Sequence, residues 1–433
     1  MRKRISYKIE SDQEILSSSE MDGNYLLIDM PISFFLLLVS SPVFLINLLI
    51  SKAQKKPFLK FVKKQDCLGR PVMLHRCQSG FAKDIALLWS VLTQNIRFCG
   101  LPLHDTFTEL EKAKLQRFRH CFAGLFSHVG LHQLSGIVVV KPYELIEQQA
   151  SASSFAYLSL LVKGGLSHLL FRRTSDGLEQ PEKFKLFGLT IHNDSMQSAV
   201  NWALTPSPSK NNNAVCKIGY FINVNSVNLA AHNPVLRKQI NRADRCFADG
   251  SGMRLAAKHI GLRIRENVNG TDMLPHLCAA AQQTKRSIYM LGAKPGVAAK
   301  AAHNLLKKYP NLKMAGTQDG YFSPEQTKQV ISDINQSGAD ILLLAMGTPV
   351  QEEWLAKHTP QLKCITALAV GGLFDFYSGH IARAPMWMRE LGMEWVWRLL
   401  QEPKGKFHRY VIGNPIFLIQ TFIFNRAKRG FKL

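Results

Sequence analysis

Six glycines in the second half of the chain stand where a backbone can be laid against a phosphate. Gly292 and Gly296 bracket Ala293-Lys294-Pro295, Gly320 follows Asp319, Gly347 follows Met346, and Gly371-Gly372 follow Val370. Lacking Cβ, glycine lets backbone N–H groups approach an anion, and a helix starting there adds the positive end of its dipole. This points to a nucleotide-like ligand, although glycines after strands also serve ordinary turns. The G-x-G-x-x-G spacing of dinucleotide folds is absent, which counts against a nicotinamide enzyme. No Asp-x-Asp occurs, so a bound diphosphate would rest on arginines and backbone N–H groups. His128 and His132 share a helical face but have no acidic or thiol partner nearby, and the eight cysteines contain no C-x-x-C pair. Neither a metal site, a cofactor nor a disulfide framework is expected.

The elements that must position these glycines alternate. Residues 219–224, 286–291, 312–317, 340–345 and 365–370 are short apolar runs that read as strands. Helical patterns lie between them: 233–245 with Pro234 in its first turn, 297–308, and one opened by Ser323-Pro324-Glu325. Strands alternating with helices predict an α/β domain with a Rossmann-like, mostly parallel sheet over residues 184–433. In such sheets ligands lie beyond the carboxyl ends of the strands, where the glycines fall. Residues 171–183 read as a linker, and the polar stretch 205–213 as a surface loop.

The first 170 residues read differently. Residues 26–50 are mostly Leu, Ile, Val and Phe, enough helix to cross about 30 Å of hydrocarbon. Asp29, Pro31, Ser40-Ser41-Pro42 and Asn47 interrupt them. Arg2, Lys3, Arg4 and Lys8 precede the segment; Lys52, Lys55, Lys56, Lys60, Lys63 and Lys64 follow it. Positive charge on both sides fits a hairpin that enters one leaflet and turns back at Ser41-Pro42, better than a simple span. Ordinary spanning and a buried helix are the alternatives. Residues 154–173, with Lys163, Arg172 and Arg173, read as a surface-lying helix or a core helix. The expected architecture is therefore an α-rich domain containing a membrane helix, followed by the α/β domain. The net charge of +23 on 433 residues must face something negative, and nothing besides that charge speaks for nucleic acid.

Two resemblances sharpen this. The motifs Phe247-Ala248-Asp249-Gly250-Ser251-Gly252, Asn269-Gly270-Thr271-Asp272, Leu291-Gly292-Ala293-Lys294-Pro295-Gly296, Asp319-Gly320-Tyr321-Phe322, Met346-Gly347-Thr348-Pro349-Val350-Gln351-Glu352, Gly371-Gly372-Leu373-Phe374-Asp375-Phe376, Arg383-Ala384-Pro385 and Glu394-Trp395-Val396-Trp397-Arg398 occur in one order. Together they resemble the WecG/TagA/CpsF glycosyltransferases. Upstream, residues 29–50, Cys67-Leu68-Gly69-Arg70-Pro71, Leu88-Trp89-Ser90-Val91-Leu92, Phe98-Cys99-Gly100-Leu101-Pro102 and Cys121-Phe122-Ala123-Gly124-Leu125 are similar to bacterial sugar transferases that load hexose-1-phosphate onto polyprenyl phosphate. There the Asp-Glu dyad that supplies the nucleophile is missing, and Pro102-Leu103 replaces Pro-Arg. The N-terminal half is expected to be a catalytically silent membrane anchor and lipid-phosphate platform.

The first resemblance implies transfer of a sugar, N-acetylmannosamine or its uronic acid, from a UDP-sugar to a polyprenyl-diphosphate-linked acceptor in surface polysaccharide assembly. The reaction would be inverting and metal-independent, on the cytoplasmic face of a bacterial inner membrane, with a homo-oligomer left open. It implies Asp249 as the base and Gln351 as a catalytic amide beside Glu352. Asn223 and Asn225 would bind sugar or acceptor. Gly270, Gly292, Gly320, Gly347 and Gly371 would line the nucleotide, Asp272 would bind it or cap a helix, and Arg383, Arg398 and Arg409 would meet the diphosphate. The family's arginine is replaced by Asn267; either Arg265, two residues earlier, takes over its phosphate contact or that contact is lost. A non-catalytic membrane scaffold built from two decayed domains is the competing expectation.

Overall fold

The computed structural model describes residues 27–103, 107, 109–137, 139, 141–150, 153–171, 180–207 and 215–430. The chain forms two compact units, residues 1–134 with 139–174, and residues 135–138 with 175–433.

The first unit opens with helix Leu27–Val39, which bends by 60° into helix Ser41–Ala53. Ser40 Oγ donates to the Leu36 and Leu37 carbonyls at 2.6 and 3.2 Å, and the proline after Ser41 brings no N–H to the new helix. The break thus falls where the sequence places it, and a bent pair of this kind is the geometry of a broken span or of a re-entrant turn alike. Among the described residues no single helix is long and apolar enough to cross a membrane; the bent pair together has that length and composition.

The pair turns its polar side inward. Asp29, Ser33, Asn47 and Ser51 are buried, while Phe34, Phe35, Leu38, Leu45 and Leu49 are exposed. The Asn47 amide donates to the Phe81 carbonyl and accepts the Phe81 N–H, both at 2.7 Å. Asp29 accepts from the Tyr157 hydroxyl at 2.6 Å, which pins the first helix to helix Ser154–Phe171. That helix buries Tyr157 and Leu160 and exposes Phe155, Val162 and Leu169. Two strand pairs that the α-rich expectation omitted complete the unit: β1 (Leu59–Gln65) antiparallel to β2 (Pro71–Cys77), and β3 (Arg97–Cys99) parallel to β4 (Gly124–Phe126). The basic residues before position 27, and Arg172 with Arg173, lie outside the described residues.

The second unit is an eight-stranded sheet built from β5 (Lys183–Leu186), β6 (Leu189–His192), β7 (Lys217–Ile222), β8 (Arg245–Ala248), β9 (Ser287–Gly292), β10 (Lys313–Gln318), β11 (Ile341–Ala345) and β12 (Thr366–Ala369). The spatial order is β10-β9-β11-β12-β7-β8-β6-β5, and only β5 runs antiparallel to its neighbour. Every residue of β11 is buried, as a strand covered on both faces by helices requires. The expected helix over 233–245 ends at Asn241, because Arg245–Ala248 pairs with β7 as β8. The helix expected at Ser323 begins at Thr327; Ser323 instead donates its N–H to the Gln326 side chain at 2.8 Å in the preceding turn.

The topology creates one crevice at the carboxyl edge. From β7 the chain moves to β8 on one side, and it reaches β12 from β11 on the other. The helix after β7, Val224–His232, packs Val227 and Ala230 into one core layer. The helix after β12, Leu373–Tyr377, packs Leu373 and Phe374 into the other. Neighbouring strands whose following helices depart to opposite faces leave a gap between their ends.

Candidate active site

Asn223 immediately follows β7, and Asp249 immediately follows β8. Asn223 is the N-cap of its helix, its oxygen accepting the Ser226 N–H at 3.2 Å. That fixes the amide, whose Nδ2 donates to Asp249 Oδ2 at 3.4 Å. Ala248 at the end of β8 is buried, and the Asp249 N–H donates to the Ile222 carbonyl at 2.9 Å, so the carboxylate leaves the sheet at its edge. Burial pushes the Asp249 carboxyl up to about 6; the Asn223 hydrogen bond and the charge of Arg409 oppose that rise, while Glu394 and Asp272 add to it. Gly250 follows at φ +94°, a conformation suited to glycine, and its N–H donates to Asn267 Oδ1 at 2.6 Å. Asn267 therefore holds the Asp-Gly turn.

Across the crevice, Gln351 is buried. Its oxygen accepts the Gly371 N–H at 3.0 Å, and its Nε2 donates to Glu352 Oε1 at 3.0 Å and to Thr348 Oγ1 at 3.4 Å. Both ends of this amide are engaged by the protein. Glu352 Oε1 also accepts from Thr348 at 3.0 Å, whereas its Oε2 is buried without a hydrogen-bond partner among the described residues. Burial pushes the Glu352 carboxyl up, against the hydrogen bonds from Gln351, its own backbone and Thr348.

The glycines divide by cause. A Cβ on Gly292 would lie 2.4 Å from the Ala345 carbonyl oxygen, and one on Gly320 would lie 3.2 Å from Gly292 Cα, so close backbone approach between β9, β11 and the loop after β10 requires both. Gly347 and Gly371 have φ of +80° and +55° with open space where a Cβ would stand, and the Gly371 N–H is taken by Gln351. Gly270 starts helix Gly270–Gln283 against the Phe221 ring.

Asp272 neither caps that helix alone nor stands free for a ligand. Asn269 is the N-cap, and its amide bonds the Asp272 side chain at 2.7 Å. The other Asp272 oxygen receives Arg383 at 2.5 Å and Arg389 at 3.1 Å. Arg383 also reaches Glu394 at 3.4 Å. Arg398 pairs with Glu402 at 3.2 Å and lies 4.7 Å from the centre of the Phe376 ring. Arg409 lies 5.2 Å from the Tyr410 ring centre, and its charge acts on Asp249.

Two expected residues stand apart from these contacts. Arg265 lines a separate polar cleft of about 330 Å³ with Lys183, His192, Asp194 and Arg245, its N–H held by Asn193 at 2.8 Å. Asn225 is half-buried, with no side-chain hydrogen bond among the described residues. Arg389 was missed by the sequence reading; its one signal is a second arginine six positions after Arg383, in the segment that leaves the edge of β12. Among the described residues no group of three or more His, Cys, Asp or Glu side chains converges.

The family model for the glycosyl transferase WecG/TagA/CpsF family matches residues 184–430. The chain belongs to the WecG/TagA/CpsF glycosyltransferase family. The match begins within β5 and ends on the C-terminal helix Gly413–Gly430, so this glycosyltransferase unit comprises the whole eight-stranded sheet and the crevice. The protein is thus an enzyme of hexosyl transfer, with a sugar donor and an acceptor, in cell-surface polysaccharide biosynthesis. For such a WecG/TagA/CpsF enzyme the geometry is apt. A carboxylate with a pKa of about 6 is ionised at neutral pH and basic enough to take a hydroxyl proton.

Proposed function

We propose that this enzyme moves a sugar, N-acetylmannosamine or its uronic acid, from a UDP-sugar to a polyprenyl-diphosphate-linked acceptor, with inversion and without a metal. Asp249 takes the acceptor proton as the hydroxyl attacks the anomeric carbon. UDP leaves against Arg409 and Arg398, the Gly347 and Gly371 turns, and the end of helix Gly270–Gln283. Gln351 and Glu352 act by fixing those turns, while Asn223 orients the Asp249 carboxylate and Asn225 meets sugar or acceptor. The observation that carries this reading is the Asn223–Asp249 pair at the mouth of the β7–β12 crevice.

The same proposal places the enzyme on the cytoplasmic face of a bacterial inner membrane. The first unit is then a silent sugar-transferase-like anchor, seated by the exposed apolar side of its bent helix pair. Lys52 in the last turn of that pair, and Lys55, Lys56, Lys60, Lys63 and Lys64 after it, suit an anionic surface.

The test is acceptor-dependent UDP release by purified full-length protein in detergent, over a panel of UDP-sugars with a polyprenyl-diphosphate N-acetylhexosamine, with and without EDTA. Release from one donor that survives EDTA supports the proposal. A folded protein that releases nothing from any UDP-sugar refutes the donor class, and release that needs a divalent ion refutes the metal-free reaction.

A further inference from the structure

A groove of about 420 Å³ lies between helix Glu394–Gln401 and the segment that enters the C-terminal helix. Its walls are Trp395, Leu399, Tyr410, Val411, Pro415 and Leu418. The size is within the range of about 300–1,000 Å³ common to small-molecule pockets. Most such pockets place a few polar groups among apolar walls; here the lining is almost entirely hydrocarbon and aromatic, with Asn414 the one amide among it.

The groove is held open by its frame. Phe417 is buried and meets Phe187 edge-on with ring centres 5.4 Å apart, which fixes the C-terminal helix on the sheet domain. Asn228 donates to the Gly413 carbonyl at 2.8 Å and secures the start of the same helix. Trp395 and Tyr410 face each other with centroids 6.0 Å apart. The helix cannot slide inward to close the gap without breaking these contacts.

A cation stands beside the groove. Tyr410 is in its wall, the Arg409 guanidinium lies over the Tyr410 ring, and the Arg409 charge reaches the Asp249 carboxyl. Lys404 and Lys406 precede them on the same segment. An apolar channel with a guanidinium over one of its wall rings matches an amphiphile with a hydrocarbon chain and an anionic phosphate head.

We infer that this groove binds the hydrocarbon chain of the lipid-diphosphate acceptor, with Arg409 beside its phosphates, so that the sugar at the headgroup is presented to Asp249. This rests on the proposed acceptor class and adds where its chain lies. Affinity then comes from burial of the first chain carbons in a preformed slot.

Trp395 is a built-in reporter. Full-length protein in nanodiscs is titrated with farnesyl diphosphate, with inorganic diphosphate, and with phosphatidylcholine vesicles, following tryptophan emission; UDP binding is measured in parallel by calorimetry. The expected result is a saturable blue shift with farnesyl diphosphate only. It should be absent in Trp395→Phe, with calorimetric affinity for farnesyl diphosphate at least tenfold weaker in Leu399→Glu while UDP affinity stays within twofold. Equal affinities of wild type and Leu399→Glu for farnesyl diphosphate overturn the inference. So does an equal shift with vesicles, which would make the groove a bilayer contact, or one with inorganic diphosphate, which would make it a phosphate response. Loss of UDP binding by the wild type as well would instead count against the donor proposed above.

Discussion

The Gln351 side-chain oxygen accepts the Gly371 N–H at 3.0 Å and so fastens the helix after β11 to the turn after β12. A single buried amide thus sets their spacing. Replacing Gln351 by Leu removes this bond and leaves Glu352 with one donor fewer. The expected cost is about 1–3 kcal/mol of stability, with UDP affinity falling in step. Unchanged melting together with unchanged UDP affinity would show that the fastening is idle.

The Asp249 carboxyl makes stability depend on pH. Its folded pKa is raised from 3.8 to about 6, so the folded state holds the proton more tightly than the unfolded chain. Ionisation therefore destabilises the fold as pH rises through that window, by at most about 3 kcal/mol. Asp249→Asn should raise the melting temperature at pH 8, and the gain should vanish below pH 4. Denaturation curves at both pH values test this; an Asn variant that is less stable at pH 8 would show that the carboxylate is held by more than it loses to burial.

Asp272 carries two arginines on one oxygen, and they are the contacts that draw residues 383 and 389 to the start of helix Gly270–Gln283. A double-mutant cycle of Asp272→Asn and Arg389→Gln should show a coupling of about 1–3 kcal/mol. Additive effects would mean that the Arg389 pairing is not maintained in solution.

How much of this was legible varies with the length of each signal. The five strands expected in the second unit are β7, β9, β10, β11 and β12, each an apolar run with a glycine or turn beyond it. β5, β6 and β8 are four residues each, as is β12; the resemblance put Asp249 at a strand end, but Arg245 continued the periodicity of the helix before it and hid where β8 starts. The line of Asn223, Asp249, Gly347 and Gly371 at one edge followed from topology. The partners did not: that the Gln351 amide is occupied by Gly371, or that Asn267 holds Gly250, depends on loop geometry without a periodic pattern. Arg265 was the natural substitute for a missing cation by distance along the chain, yet Asn193 holds its backbone in another cleft. In the first unit Ser40 and Pro42 marked the break, but the angle between the helices is set by tertiary bonds such as Asn47 to Phe81.

The central claim is that the ionised Asp249 removes the acceptor proton. The direct test is the initial rate of sugar transfer from pH 5 to pH 8 at low substrate, for the wild type and Asp249→Asn. The account predicts a kcat/KM that rises with pH through a midpoint of about 6. It also predicts a loss of about 10²–10⁴-fold in the variant, with UDP still bound. A flat profile, with the Asn variant within threefold of the wild type, would contradict it.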